Sequence, residues 1–263
     1  MAEHSNQPEK PRNARPSRAG RPAPAPATGG SPRARPIPIV GIGASAGGLR
    51  AFEAFFGAMK AEDDCGMAFV VVQHLAPGHK SLLAELVRRH TNLKVAEATD
   101  GALVQPGCVY IIPPDRDIAL DEGALHLSTH TGADRPHLAI DHFFLSLARA
   151  QRDRAICIIM SGTGSDGTLG ARAVKGEGGL VIAQSPATCE YDAMPRSAIA
   201  TALVDFVLAP EEMPARLVAY VRHAFDPERA PIGALSHEGA LKKLCVLLRE
   251  HTGHDFSQYK ETT

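Results

Sequence analysis

The chain has 263 residues, with 28 Lys and Arg against 29 Asp and Glu, and 44% of its residues are hydrophobic. This is a globular composition, long enough for one large domain or two ordinary ones, and a net charge of −1 offers no basic footprint for nucleic acid. The longest apolar runs, residues 67–72 and 155–160, fall far short of the roughly 20 a membrane span needs, and no amino-terminal apolar stretch reads as an export signal.

Residues 1–35 hold seven Pro, seven Lys and Arg and only two acids, Glu3 and Glu9, with no Val, Ile, Leu or Phe. Such a segment buries too little apolar surface to offset its ordering entropy, so a disordered tail is expected. Its charge of +5 leaves −6 on residues 36–263, and a solvated linker is favoured over a contact to RNA or acidic lipid. From Ile37 the texture changes. Ile37-Pro-Ile-Val-Gly is an apolar run ending in glycine, and the spacing of Leu49, Phe52, Phe55 and Phe56 predicts a helix over 49–59 with those four on one face. Ala68-Phe-Val-Val-Val is a second buried-strand pattern, followed by a helical 81–89. Short strands are expected at 93–98 and 107–112, and a hairpin from 118–120 and 124–128 joined through Asp121-Glu-Gly123. Then come a helix at 141–151, a strand at 154–160, a helix at 169–176, a strand at 180–184, a helix at 193–201 and a last short strand at 206–208. Residues 210–223 read as a helix with Met213, Leu217, Tyr220 and Val221 on one face.

Apolar strands alternating with helices predict an α/β fold: a doubly wound, mostly parallel sheet with helices on both faces and a small antiparallel hairpin. In such sheets the chemistry sits beyond the carboxyl ends of the strands, which directs attention to the residues after Val40, Val72 and Met160. After the first strand, Gly41-Ile-Gly-Ala-Ser-Ala-Gly-Gly48 fits two patterns. Gly41-x-Gly43-x-x-Ala46 matches a dinucleotide fingerprint, and Gly43-x-Ser45-x-Gly47 matches a nucleophile elbow. The first wants an acid at the end of the second strand, but that strand ends Val72-Gln73-His74, and a histidine is what a serine nucleophile requires. The third strand leads into Met160-Ser-Gly-Thr-Gly-Ser-Asp-Gly167, whose one carboxylate is Asp166. Each residue also has a bland reading: His74 as a loop histidine, Asp166 as a helix cap. Ser161 and Ser165 are rival serines but neither sits at a glycine-flanked elbow. Ser45, His74 and Asp166 together follow three parallel-strand candidates and form a candidate catalytic triad in the order Ser, His, Asp. His79, His90, His137 and His142 show no metal spacing, and no metal or other cofactor is expected. The five cysteines, Cys65, Cys108, Cys157, Cys189 and Cys245, are widely scattered without a Cys-x-x-Cys pair and read as reduced thiols of a cytoplasmic protein.

Ile42-Gly-Ala-Ser-Ala-Gly-Gly48, Gln73-His74 and Ser161-Gly-Thr-Gly-Ser-Asp-Gly167 resemble the catalytic segments of CheB, the bacterial chemoreceptor glutamate methylesterase. Tyr110-Ile-Ile-Pro-Pro-Asp115, Arg135-Pro136 with Asp141, Ala183-Gln184 and Met194-Pro-Arg-Ser-Ala-Ile199 agree with that family, so the match covers residues 36–225. The resemblance implies hydrolysis of glutamate methyl esters on methylated chemoreceptor helices, with some glutamine deamidation. Ser45 would be the nucleophile, His74 the base and Asp166 its orienting acid, while backbone N–H groups at Ala46 and near Thr163 would hold the oxyanion. The family often has Met where Thr163 stands. Its receiver domain finds no counterpart before Pro36, which puts control by phosphorylation in doubt. After a linker at 226–237, an amphipathic 238–250 with Leu241, Leu244, Leu247 and Leu248 inward is followed by Thr252-Gly-His-Asp-Phe-Ser-Gln-Tyr-Lys260. That segment resembles the opening of CheR, the receptor methyltransferase, as in CheB–CheR fusions. At 26 residues it is too short to hold an S-adenosylmethionine site, so no methyltransferase activity is expected. Partners implied are methylated signalling proteins, with neither nucleic acid nor membrane insertion. A non-catalytic signalling module derived from such a fusion is the alternative.

Overall fold

The computed structural model describes Met1 and residues 37–60, 66–73, 83–129 and 138–225. The expectations for the tail, the linker, the CheR-like segment and His74 lie outside these residues. The chain runs β1 (Ile39–Ala44), α1 (Gly48–Ala58), β2 (Ala68–Gln73), α2 (Leu83–His90), β3 (Lys94–Glu97), β4 (Ala102–Leu103), β5 (Cys108–Ile111), β6 (Arg116–Asp121) and β7 (Ala124–Thr129). It continues with α3 (Ala139–Gln151), β8 (Ile156–Ile159), α4 (Thr168–Gly176), β9 (Leu180–Gln184), α5 (Ala193–Ile199), β10 (Phe206–Leu208) and α6 (Met213–Ala224).

Seven strands form one sheet in the order β10-β9-β8-β1-β2-β5-β3, every pair of it parallel. Alternation of side chains divides the core. Val40, Ile42, Phe69, Val71, Ile156 and Ile158 pack under α1, α2 and α6, while Val70, Val72, Cys157, Ile159 and Val181 pack against α3, α4 and α5. The expected hairpin is part of a three-stranded antiparallel sheet, β4-β7-β6. Its tight turn uses Glu122 and Gly123 at φ 45° and 82°, the left-handed pair that matches the twist of the flanking strands.

Glycines let β1 run close beneath α3. A Cβ on Gly41 would stand 2.8 Å from a ring carbon of Phe143, and one on Gly43 would overlap Ile140. The spacing that resembles a dinucleotide fingerprint is therefore used to seat the aromatic face of α3 directly on the sheet. Leu49 departs from expectation: it is exposed, and Ala51 joins Phe52, Phe55 and Phe56 on the buried face instead. It lies in the first turn of α1, at the margin of the buried stripe that Gly48, Ala51, Phe52, Phe55 and Phe56 define. Residues 210–212 form a 3-10 turn before α6, and Tyr220 is only partly buried while Val218 takes its place in the core.

Strand order decides where a site can form. From β1 the chain proceeds outward to β2 and β5 on one side, then returns to lay β8, β9 and β10 on the other. The helices that follow β1 and β8 cover opposite faces, α1 in one core layer and α4 in the other. Between the carboxyl ends of β1 and β8 the sheet thus opens a crevice at its topological switch point.

Candidate active site

Ser45 is the first residue past β1. The parallel pairing with β8 extends through it: the Met160 N–H donates to the Gly43 carbonyl at 2.8 Å, and the Ser45 N–H to the Ser161 carbonyl at 2.9 Å. A turn then reverses the chain into α1, closed by the Gly48 N–H on the Ser45 carbonyl at 3.0 Å. Gly47, at φ 74° and ψ 0°, has the dihedrals of the third residue of a type II turn. A side chain there would be strained, and its Cβ would also stand 2.6 Å from the Ser161 hydroxyl. Ser45 is half-buried, with its Cβ over Gly162 in the loop after β8. The elbow reading of Gly43-x-Ser45-x-Gly47 therefore describes the backbone that is present: strand, sharp turn, helix.

Asp166 lies in the same loop, buried, at the entrance to α4. Its Oδ1 accepts the N–H groups of Asp141 and Gly167 at 2.8 Å each, and Oδ2 accepts that of Ile140 at 3.0 Å. It does cap a helix, but α3, some 25 residues earlier in the chain, as well as the start of its own turn. Asp141 returns the arrangement: its Oδ1 accepts the Gly170 N–H in the first turn of α4 at 2.8 Å. Neither helix has a side-chain cap of its own at Leu138 or Gly167. Two helix N-termini therefore meet at the carboxyl edge, each satisfied by a carboxylate from the other.

That exchange places two carboxyl groups close together out of water. Burial pushes the Asp141 carboxyl up from its ordinary 3.8, the Gly170 N–H pulls it back, and the Asp166 charge pushes it up again. The folded protein thus holds the Asp141 proton more tightly than the unfolded chain. Its contribution to stability falls as pH rises from the unfolded value through the raised folded one. Asp141→Asn cannot titrate at that position. The stability of wild type relative to Asp141→Asn is expected to increase as pH is lowered from 7 toward 4, which thermal melts across that range would register. A difference that stays flat refutes the raised value.

The rival serines separate on geometry. Ser161 is 1% exposed, and its hydroxyl is engaged with the backbone at Ala46 and Tyr191. Ser165 is exposed, with its carbonyl starting the turn into α4. Cys157 and Cys189 are no better nucleophiles. Burial pushes the Cys189 thiol up to about 11, with Asp192 adding to the rise, and burial raises Cys157 well beyond the ordinary thiol range.

Sequence reasoning gave Gln184 no part of its own. At the end of β9 it is 2% exposed; its Oε1 accepts the Ser161 N–H at 2.8 Å and its Nε2 donates to the Thr188 carbonyl at 3.0 Å. The signal was available as a lone amide closing an otherwise apolar strand. At the neighbouring edge, Gln73 donates to the Ser45 carbonyl over 3.5 Å, a long contact. β2 ends level with β1, since Gln73 pairs with Ala44. Beside Gly47 a cleft of about 370 Å³ is lined by the exposed Arg50, Glu190 and Glu211 together with Gln184 and Cys189. Among the described residues no three His, Cys, Asp or Glu side chains gather as a metal site, and no helix is long and apolar enough to cross a membrane.

A family model described as CheB methylesterase matches residues 40–217. The chain is similar to a protein-glutamate methylesterase/protein-glutamine glutaminase of Moorella thermoacetica, 35% identical over 201 residues, which are 73% of this chain and 46% of that protein. It is similar to the protein of the same name from the group 3 operon of Rhizobium meliloti, 34% identical over 199 residues, 75% of this chain and 56% of that one. The chain thus spans about half the length of these curated relatives. Among solved structures, the catalytic domain of the Thermotoga maritima CheB methylesterase superposes with a TM-score of 0.64 at 34% identity, covering 71% of this chain and 100% of that domain.

Proposed function

Because the chain belongs to the CheB methylesterase family, we propose that it is a cytoplasmic hydrolase of glutamate methyl esters on signalling proteins, acting on methylated chemoreceptor helices. The observation that carries this reading is the Ser45 turn at the switch point, tied by its own N–H to the loop that bears Asp166. Ser45 Oγ attacks the ester carbonyl, His74 takes the hydroxyl proton as the bond forms, and the tetrahedral intermediate collapses with loss of methanol. Water, deprotonated by the same histidine, then releases the glutamate and frees the serine. Asp166 holds the imidazole in the tautomer that presents its basic nitrogen to Ser45 and stabilises the imidazolium. Backbone N–H groups at Ala46 and near Thr163 receive the oxyanion at the N-terminus of α1, where the helix dipole favours negative charge. The same acyl-enzyme forms from a glutamine side chain with loss of ammonia, in keeping with the double name of the relatives. Residues 238–263 we read as a CheR-like segment on their sequence alone.

The test is methanol release from membranes carrying methylated chemoreceptors. Release that scales with added protein is the expected result. Its absence with well-folded protein and an authentic methylated receptor overturns the reading.

A further inference from the structure

We propose that Ser161 is a positioning residue whose hydroxyl fixes the elbow that presents Ser45. The inference rests on Ser45 being the nucleophile. It begins with a backbone problem. Ala46 precedes the N-cap Gly47, so its carbonyl lies outside the hydrogen-bond ladder of α1 and needs a partner from elsewhere. Ser161 supplies it: the hydroxyl proton is shared between the Ala46 carbonyl at 2.9 Å and the Tyr191 carbonyl at 3.1 Å. The oxygen in turn accepts the Tyr191 N–H at 3.0 Å.

Every polar atom of Ser161 is thus committed to joining segments. Its carbonyl accepts the Ser45 N–H at 2.9 Å, and its N–H donates to Gln184 Oε1 at 2.8 Å. The next residue extends the seam, with the Gly162 N–H on the Tyr191 carbonyl at 2.9 Å and the Met194 N–H on the Gly162 carbonyl at 3.1 Å. Ser161 is therefore the point where the turn after β1, the loop after β8 and the segment between β9 and α5 are bonded to one another. Its carbonyl and its hydroxyl grip the two sides of one residue pair, the N–H of Ser45 and the carbonyl of Ala46. The peptide between Ser45 and Ala46, which carries the N–H proposed to hold the oxyanion, is set from both ends. Removing the hydroxyl leaves strand pairing intact through the main chain and releases the Ala46 carbonyl, together with the Tyr191 N–H that the hydroxyl oxygen accepts. Looseness of this kind is felt in the chemical step, because a reacting group displaced by about 1 Å costs on the order of 100-fold in rate.

The experiment compares wild type with Ser161→Ala, Ser161→Cys and Ser161→Thr by methanol release from methylated receptor membranes, by the rate of Ser45 labelling with a fluorophosphonate, and by thermal melting. Alanine and cysteine remove the strong donor, cysteine while nearly conserving shape; threonine keeps it. Expected are kcat values for Ala and Cys lowered about 10- to 100-fold, KM within about threefold and labelling slowed in step, with threonine recovering most of the loss. A merely structural role would lower melting temperature without dividing kcat from KM in this way. Should the alanine variant not fold, cysteine against threonine makes the same comparison. The proposal is overturned if a folded Ala or Cys variant keeps kcat within twofold of wild type, or if threonine loses as much as cysteine. Wild type that neither releases methanol nor accepts the label defeats the function itself, whereas normal wild-type labelling with an unchanged Ser161→Ala rate defeats this inference alone.

Discussion

Replacing Ser45 with alanine is expected to lower ester turnover by about 10³- to 10⁶-fold with little change in melting temperature. The small structural effect follows from how the turn is built. Its hydrogen bonds run through the Ser45 N–H and carbonyl, and its conformation depends on Gly47; alanine keeps the backbone and the Cβ that rests over Gly162. The large kinetic effect follows from covalent catalysis. Without the hydroxyl no acyl-enzyme forms, and what survives is substrate binding and oxyanion stabilisation, which in serine hydrolases leave a residual rate well above water but far below that of the intact set. Methanol release from methylated receptor membranes reads turnover, and fluorophosphonate labelling reads the nucleophile directly. A folded Ser45→Ala protein that keeps more than a tenth of the activity removes Ser45 from its assigned role.

Local pattern made most of the fold legible. Strands β1, β2, β8 and β9 are short apolar runs, and in a parallel sheet both faces are buried, so composition alone marks them. What escaped is non-local. β4 is two residues long and exists only because β7 offers it an edge. Leu49 stands at the margin of the buried stripe of α1, and periodicity alone does not report how far the neighbouring elements reach across a helix. Gly41 and Gly43 satisfied a cofactor motif in their letters, whereas their purpose is set by Phe143 and Ile140, about 100 residues away. The site shows the same division. The turn at Ser45 could be read in advance because an elbow is a local shape. The partnership of Asp166 with the first turn of α3 joins segments separated by some 25 residues, and nothing in either segment names the other.

That partnership gives Asp166→Asn two separable consequences. The amide has one acceptor oxygen where the carboxylate has two, so the N–H groups of Ile140, Asp141 and Gly167 cannot all keep their partners. Leaving one buried donor unsatisfied costs about 1–3 kcal/mol, and a fall in stability of that size is expected in denaturant unfolding. Turnover is expected to fall further, by about 10³- to 10⁴-fold, because an amide in place of the acid presents a donor to the imidazole N–H and holds the wrong tautomer toward Ser45. Asp141→Asn supplies the contrast. It disturbs the reciprocal cap on Gly170 and the electrostatics of the carboxylate pair, yet leaves the Asp166 side chain in place. If both carboxylates serve only to hold the two helix ends, the two variants lose stability and activity in proportion. If Asp166 also governs His74, the Asp166→Asn loss in kcat exceeds that of Asp141→Asn by at least about 100-fold at matched stability. Equal losses would reduce Asp166 to a cap.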